Sequence, residues 1–227
     1  MPLSDSQIQR AIADRAIVVD PYDPDNVKPS SLDIRLGDKL ALLKDAAPLD
    51  LGSDDDIDAR YETISIHAEG YELHPGASVL GHAFEHINFG NHCGLVMTRS
   101  SVARLGLLCN ISGYANPGYA GKLPLMIVNV GSAPIRLAAG RRIAQVLFFP
   151  VTEVNRMYAD QGGKYMNESG PTPSKHHLDA ELRGLLKRLG VPSKQLEKTL
   201  QYLDSKVDEA AAGVAAAAAK TLTTKLG

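Results

Sequence analysis

The feature that most constrains the fold is a succession of short apolar or alternating segments between about residue 32 and residue 151. These segments are LDIRL, KLALL, SVLGH, GLVMT, LLCNI, LPLMIVNV, PIRL and RIAQVLFFPV. Clusters of Gly, Pro, Asn and Asp separate them at intervals too short for crossover helices. The pattern therefore favours an all-β sandwich or barrel over β-α-β units.

Two helical patterns accompany the β-rich region. Residues 4–16 begin with a Ser/Asp cap signal and place Ile8, Ile12 and Ala16 on one face, which predicts a short amphipathic helix. RSSVARLG (99–106) carries a Ser cap and a terminating Gly between two strand segments. We expect it to form one helical turn.

The pattern changes after Pro150, where a polar, Gly-rich segment predicts an arm or flap. A helix over about 177–189 follows, and Gly190 ends it. Its leucine stripe comprises Leu178, Leu182, Leu185, Leu186 and Leu189. A second helix is expected from Ser193 onward, after Pro192.

The second C-terminal helix has apolar residues that step alternately by four and three. They are Leu196, Leu200, Leu203, Val207, Ala210, Val214 and Ala217. This spacing predicts three heptads of a coiled coil or tight helical bundle. A helix packed along its own domain is the alternative, because Gly213 and the alanine run weaken an independent coil.

Composition excludes several classes of function. A formal net charge of −2 over 227 residues provides no basic field that would attract nucleic acid or an anionic membrane. No segment reaches the roughly 18 apolar residues that cross a bilayer, and the N-terminus lacks a signal pattern. We therefore expect a cytoplasmic protein. Cys93 and Cys109 have no C-x-x-C spacing and are expected to be reduced, packed thiols.

A metal site formed by the histidines is not favoured. His82 and His86, with His92 and Cys93 close behind, superficially suggest one. In an extended strand, residues four apart share a face but lie roughly 13 Å apart, too far to bind one ion. The H-x-E and P-C-x-x-C elements of zinc deaminases are also absent from the sequence.

The predicted turn at 99–106 is a candidate anion site. The hydroxyls of Ser100 and Ser101, the guanidinium groups of Arg99 and Arg104, and main-chain N–H groups converge there. A capped helix with solvated charges is the alternative, and this short string alone leaves both interpretations open.

Five segments occur in the order and spacing of the motifs of the dCTP deaminase and dUTPase family. They are KPSSLDIRLG (28–37), TRSSVARLG (98–106), NPGYAGKLPLMIVNVG (116–131), IRLAAGRRIAQVLFF (135–149) and GGKYMNESGPTPSK (162–175). The chain resembles the deaminase branch more than ordinary dUTPases. The Lys164-Tyr165 arm supports this, as does the absence of a C-terminal Gly-rich motif that would cover the phosphates.

The resemblance implies a mainly β, dUTPase-like distorted β-barrel with a short N-terminal helix and a helical C-terminal extension. Residues 1–175 would form the barrel with its helix and arm, and residues 176–227 the extension. It also implies a homotrimer with sites at subunit boundaries. Each site would hold a deoxypyrimidine triphosphate with Mg²⁺ on its phosphates.

The resemblance also assigns site residues. Ser100 and Arg104 match positions that contact the reacting base and its water, and Lys164 and Tyr165 match the arm that closes on the nucleotide. If the site is retained, the nucleotide-binding residues are Arg99, Ser100, Ser101, Arg104, Asn116, Lys164, Tyr165 and Glu168.

Three positions depart from the family pattern. The deaminating Glu falls on Met126, whose thioether cannot transfer the protons of hydrolytic deamination. An Asp of the family falls on Asn116, an amide that hydrogen-bonds but cannot act as a base. A Gln of the arm falls on Glu168, whose charge would repel a triphosphate. The nearest carboxylates in sequence are Glu85, Glu153 and Glu168, and strand alternation cannot place any of them in the site.

These residues favour a catalytically degenerate homotrimer that acts as a scaffold or binding protein, for example in viral capsid decoration. The alternatives are an active enzyme and a nucleotide-binding regulator. An active form would be a metal-free-type dCTP deaminase or a dUTPase. We expect no nucleic-acid or membrane partner, and location in the cytoplasm or, for a viral protein, in the virion. A larger assembly would bind through Leu196, Leu200, Leu203 and Val207.

Overall fold

The computed structural model describes residues 1–67, 69–109, 113–191 and 193–194. The strands in these ranges are β1 (Val18–Asp20), β2 (Val27–Lys28), β3 (Ser31–Arg35), β4 (Lys39–Leu43), β5 (Tyr61–Ser65), β6 (Tyr71–Leu73), β7 (Ser78–Asn88), β8 (His92–Thr98), β9 (Leu107–Cys109), β10 (Tyr114–Ala115), β11 (Ala120–Asn129), β12 (Ile135–Leu137) and β13 (Arg142–Pro150). The helices are α1 (Asp5–Ala13), α2 (Ser100–Ala103) and α3 (Ala180–Leu189). The mainly β prediction is confirmed.

Two larger sheets and one small sheet contain these strands. The first has the order β5-β4-β7-β11-β9, with β1 paired to β7, and the second has the order β10-β8-β13-β3-β2. Strands β12 and β6 form the small sheet. Every pairing in the described ranges is antiparallel, and the sheets stay open instead of closing into one barrel. In place of the predicted barrel, the structure has distorted, open sheets.

The core lies between the inner faces of the two larger sheets. Its fully buried members include Ile34, Leu40, Ile87, Leu125 and Phe148, which come from both sheets. Burial alternates along β11, because successive side chains of a strand point to opposite faces. Leu125 therefore packs in the core, whereas the neighbouring Met126 lies on the opposite, less buried face.

The N-terminal helix forms with the predicted cap but ends at Ala13, so Ala16, predicted on its apolar face, lies beyond it and is exposed. The hydroxyl of Ser4 accepts the main-chain N–H of Gln7, and the Gln7 side chain accepts the N–H of Ser4. This reciprocal capping stabilises the first turn. Ile8 is fully buried on the predicted apolar face.

The predicted Ser cap of the second helix is wrong. Arg99 occupies the N-cap position of α2 in an extended conformation, and no side chain there makes a capping bond. Because the helix begins at Ser100, both serines lie inside its turn, beyond the position from which a hydroxyl caps a helix.

Contacts divide the chain into two compact units. The first comprises residues 1–46 and 58–174, and the second comprises residues 47–57 with the chain from Lys175 onward. The sequence analysis predicts that residues 47–57 belong to the barrel segment 1–175. In the structure these residues belong to the second unit. Within that unit the buried carboxylate of Asp54 accepts bonds from the Ser193 hydroxyl at 2.5 Å and the Lys194 N–H at 3.1 Å.

Helix α3 of the second unit ends at Gly190, in the left-handed conformation that the predicted C-cap requires. It begins later than predicted because His176–Leu178 form a separate 3₁₀ turn. Leu182 and Leu186 of the leucine stripe are buried, whereas Leu178 and Leu189 are exposed. The stripe is therefore confirmed only in part. The coiled-coil positions Leu196, Leu200, Leu203 and Val207 lie outside the described residues.

Candidate functional site

An apolar pocket of about 540 Å³ lies against the outer face of β11. This volume is in the range of about 300–1,000 Å³ that is typical of small-molecule sites. The pocket is lined by Tyr61, Leu80, Val96, Tyr114, Ala115, Asn116, Tyr119, Leu123, Pro124, Met126, Tyr158, Tyr165, Thr172, Pro173 and Ser174. All of these residues belong to the first compact unit.

Strand register places Met126 in this pocket. Met126 pairs with Leu80 of β7, and both side chains line the cavity together with Pro124. The thioether therefore stands among apolar neighbours at the position where the resemblance expects a catalytic Glu. Methionine can pack and be polarised, but it cannot take up or release a proton.

Five of the chain's eight tyrosines line the pocket, so aromatic faces form much of its wall. The rings of Tyr119 and Tyr158 lie with their centroids 6.0 Å apart. The Tyr119 hydroxyl donates to the Lys122 carbonyl at 3.2 Å, and the Tyr158 hydroxyl accepts the Tyr165 N–H at 3.3 Å. These hydroxyls thus take part in structural bonds, and the rings offer stacking surfaces for a planar ligand.

The phenol of Tyr119 is held in its neutral form. Burial raises its pKa well above the usual value, and the nearby charge of Glu168 and the neighbouring Tyr158 raise it further. A phenol with this shift carries its proton throughout the physiological range and does not serve as a base.

The polar groups of the pocket are few and uncharged. They are the amide of Asn116 and the hydroxyls of Thr172 and Ser174, besides the tyrosines. Within the described chain the Asn116 side chain makes no hydrogen bond, so its donor and acceptor are available to a ligand. None of the described lining residues carries a carboxylate or an imidazole. The pocket can therefore bind and orient a ligand, but its lining lacks a proton-transfer group.

The C-terminal arm closes one side of the pocket through main-chain bonds to β11. Asn167 donates to the Ala120 carbonyl at 2.7 Å, and Lys122 donates to the Glu168 carbonyl at 2.8 Å. Gly121 has φ of +153°, and a Cβ there would lie 3.0 Å from the Glu168 nitrogen. A glycine is therefore needed where the arm approaches β11.

A second, smaller hollow of about 270 Å³ adjoins the apolar pocket. It is lined by Asn116, Pro117, Arg156, Tyr158, Gln161, Gly162, Gly163 and Lys164. We call it the cationic hollow, because Arg156 and Lys164 are its charged members. Asn116 and Tyr158 line both cavities, so the two are neighbours with a common wall.

The residues predicted at the α2 turn line neither cavity of the single chain. The Arg99 guanidinium bonds to the buried carboxylate of Asp33 at 3.1 Å. Ser100 and Ser101 of α2 and the C-cap residue Arg104 are exposed. The structure thus brings Asn116 together with Tyr165 and Lys164 but leaves the α2 group apart.

The three carboxylates considered as substitutes do not line the pocket. Glu85 is buried on β7, where it accepts the Arg35 side chain at 2.6 Å and the Arg35 N–H at 3.0 Å. Glu153 is exposed. Glu168 is buried, and its charge acts on Tyr119 across the pocket wall.

No group of three or more His, Cys, Asp or Glu side chains in the described ranges is arranged to hold a metal ion. His82 is fully buried and bonds through Nδ1 to the Ala83 carbonyl at 2.8 Å. Mg²⁺ on the phosphates of a bound triphosphate remains a prediction. No helix of the described chain is long and apolar enough to cross a membrane.

Several lining residues escaped the sequence analysis, notably Tyr61, Tyr114, Tyr158 and Arg156. A weak signal existed for Tyr114 and Tyr119, which flank the Asn-Pro-Gly turn at 116–118. Tyr61 and Arg156 lie far from that turn in sequence, and only the folded chain brings them to the cavities.

Comparison with known proteins identifies the family of the chain. Residues 2–151 match the family described as dCTP deaminase-like. A "dCTP deaminase, dUMP-forming" of Methanopyrus kandleri is 35% identical, over 78% of this chain and 96% of its own length. A "dCTP deaminase" of Haloarcula marismortui is 36% identical, over 81% of this chain and 99% of its own length.

A solved structure shares the fold. The crystal structure of 2'-deoxycytidine 5'-triphosphate deaminase from Agrobacterium tumefaciens superposes with a TM-score of 0.53 at 23% identity. The likeness covers 68% of this chain, which spans about half, 49%, of that longer chain. Because the family match covers more than half of the sequence, and the two relatives align over nearly their whole length, this chain belongs to the dCTP deaminase-like family.

Proposed function

We propose that this protein is a non-deaminating member of its family, which binds a deoxypyrimidine nucleotide in the apolar pocket without converting it. The observation that carries the proposal is Met126, placed among apolar neighbours in a pocket whose described lining has no carboxylate or imidazole. The ligand class is suggested by the relatives, whose names describe dCTP deaminases.

The chemistry of deamination explains why this lining matters. Hydrolytic deamination needs a group that takes a proton from water and delivers it to the leaving amine, and each such role typically contributes about 10²- to 10⁴-fold to the rate. Neither the thioether of Met126 nor the amide of Asn116 fills that role. Both can still contribute to binding, Met126 by packing and Asn116 by hydrogen bonds to the edge of a base.

The proposal includes a homotrimer. Ser100, Ser101 and Arg104 are exposed and line neither cavity of their own chain. In a trimer, a neighbouring copy can present this turn to the pocket. Light scattering at micromolar concentration should then give three times the monomer mass of 24.3 kDa. A stable monomer would contradict the shared site. A scaffold role, including capsid decoration, remains a hypothesis that the trimer would accommodate.

A second candidate is an active enzyme with a displaced carboxylate. Glu168 favours it, because this buried side chain lies close enough to Tyr119 to raise the pKa of a phenol in the pocket wall. Movement of the arm that carries Glu168 would be needed to bring the carboxylate to a bound base.

Turnover and binding assays on the purified protein separate these candidates. With Mg²⁺ present, we expect dCTP and dUTP to remain unchanged while calorimetry detects binding of at least one of them. Turnover of about 1 per second or faster, typical of enzymes, would refute the proposal. Glu168→Gln is the companion variant: if the protein is active and this change abolishes turnover, the displaced carboxylate is the catalyst. Absence of both turnover and binding would leave only a structural role.

A further inference from the structure

Five large apolar side chains of the second compact unit are exposed to solvent. They are Leu49 and Leu51 of residues 47–57, Leu178 of the 3₁₀ turn, Leu189 at the end of α3, and Val191. Leu51 is 83% exposed and Leu189 is 65% exposed. We infer that this unit pairs with the same unit of a second copy of the chain. The inference does not rest on the proposed function, and the chain from Lys175 onward lies beyond the family match at 2–151.

Two parts of the unit carry opposite charge. Residues 47–57, which we call the acidic loop, contain four aspartates and no lysine or arginine, and Asp50 and Asp56 are exposed there. Helix α3 exposes three cations and one acid, namely Arg183, Lys187, Arg188 and Glu181. Two acidic loops repel each other, whereas an acidic loop and a basic helix attract. The charges therefore favour a contact in which the loop of one copy meets α3 of another.

The cations of α3 are available for such a contact. In the part of the chain that the structure describes, Arg183, Lys187 and Arg188 form no ion pair with a carboxylate. The Arg183 guanidinium donates to the Leu178 carbonyl at 3.5 Å, at the limit of a hydrogen bond. The acids of the same unit thus leave these three charges without a counterion.

Hydrogen bonds fix the acidic loop beside the C-terminal segment. Nε2 of His176 bonds to the Ser53 carbonyl at 3.1 Å. The buried Asp54 carboxylate accepts the Ser193 hydroxyl and the Lys194 N–H. The loop is therefore held on both sides before a partner arrives, which reduces the entropy lost on association.

A second copy satisfies both charged parts in one contact. In a two-fold arrangement the loop of each copy meets the helix of the other, so every interaction occurs twice. Exposed leucines such as Leu51 and Leu189 leave water in the same step. One loop and one helix form a small contact, of the size class of weak and transient interfaces. Pairing should therefore be populated near millimolar concentration, above the micromolar range in which the proposed trimer is tested.

The test measures the mean mass of the full-length protein by sedimentation from micromolar to millimolar concentration. We expect the mass to rise toward at least twice its low-concentration value. The rise should disappear in about 1 M salt, where the screening length falls to about 3 Å. Asp50→Lys and Arg188→Glu each turn two attractions of the pair into two repulsions, and each should weaken pairing about tenfold. An equal mixture of the two variants restores both attractions and should pair as well as the unmodified protein.

Controls and alternative outcomes follow from the same design. Arg136→Glu reverses an exposed charge on β12, in the first unit, and should pair normally. If either charge reversal does not fold, Leu51→Ser tests the contact at a side chain that supports no core, and it should weaken pairing about tenfold. A mass that does not change with concentration would overturn the inference.

Pairing through another surface would overturn it as well. It would be recognised by variants that pair normally, or by a mixture of Asp50→Lys and Arg188→Glu proteins that associates no better than either variant alone. A protein that pairs as expected but binds no nucleotide would refute only the proposed function.

Discussion

The sheets contain buried carboxylates, whereas the described lining of the apolar pocket contains none. In the sheets, Asp33 and Glu85 are almost fully buried, and each bonds to an arginine, Arg99 and Arg35 respectively. The described lining of the pocket contains no carboxylate, and Met126 stands there at the position that the resemblance aligns with a catalytic Glu. A buried carboxylate is costly unless a partner compensates it. The comparison teaches that the two buried carboxylates of the sheets each have an arginine partner, whereas the described lining of the pocket has no carboxylate where chemistry would need one.

The largest effect is expected in the sheets, from Glu85→Ala. This change leaves both the guanidinium and the main-chain N–H of Arg35 without their acceptor. Breaking a buried ion pair by removing one partner costs about 3–5 kcal/mol, and the partial exposure of Arg35 favours the lower end, about 3 kcal/mol. Urea unfolding measures the loss. The exposed Glu62→Ala on β5 is the control and should change stability by less than about 0.5 kcal/mol. If Glu85→Ala lowers the free energy of unfolding by less than about 1 kcal/mol, the buried pair with Arg35 is not what makes this carboxylate tolerable in the sheets.

A smaller effect is expected when an acid is placed in the pocket by Met126→Glu. The apolar lining should raise the pKa of the new carboxyl, so the folded state binds a proton more readily than the unfolded chain. Stability should then decrease as the pH rises above the ordinary value of about 4.3. Unfolding at pH 5 and pH 7 measures this, with Met126→Gln as the uncharged control. We expect the Glu variant to be about 1–2 kcal/mol less stable than the Gln variant at pH 7. Equal stability at both pH values would show that the pocket does not disfavour charge.

The smallest effect concerns His82, a buried base on β7. Burial is the main cause that lowers its pKa, with Lys122 and Lys39 acting in the same direction and the Ala83 carbonyl and Asp38 opposing them. The unfolded chain therefore takes up a proton near pH 6.5 before the folded chain does. Stability should be complete above that pH and decrease below it, by at most about 1.4 kcal/mol per pH unit.

The measurement for His82 is the slope of unfolding free energy between pH 7.5 and pH 5. His82→Gln should have a shallower slope than the unmodified protein, whatever its absolute stability. The exposed His74→Gln is the matched control and should keep the original slope. Identical slopes in all three proteins would show that His82 is protonated equally well in the folded and unfolded states.

Much of the fold could be predicted because its strands are local patterns. The segments LDIRL, KLALL and RIAQVLFFPV coincide with β3, β4 and β13 except for Leu36 and Val151, which lie just past the strand ends. Short apolar segments between turn residues identify strands without tertiary information. The short strands β1, β2 and β10 carry too few residues for such a pattern and depend on pairing with longer neighbours. The Ser cap of α2 was predicted wrongly because a cap depends on where the helix begins, which one residue decides.

The sequence by itself determined the family and the strand segments, because these follow from the order of residues. The expectation that Met126 and Asn116 replace acids also comes from the sequence, through the resemblance of its motifs. Only the tertiary structure decided what surrounds Met126. Tyr61, Tyr114 and Tyr158 are distant in sequence and meet at one cavity because strand pairing and the arm bring them there. It also decided that Glu85 bonds to Arg35 instead of lining the pocket. The physical reason is that the environment of a side chain depends on contacts between distant segments, which local residue patterns do not specify.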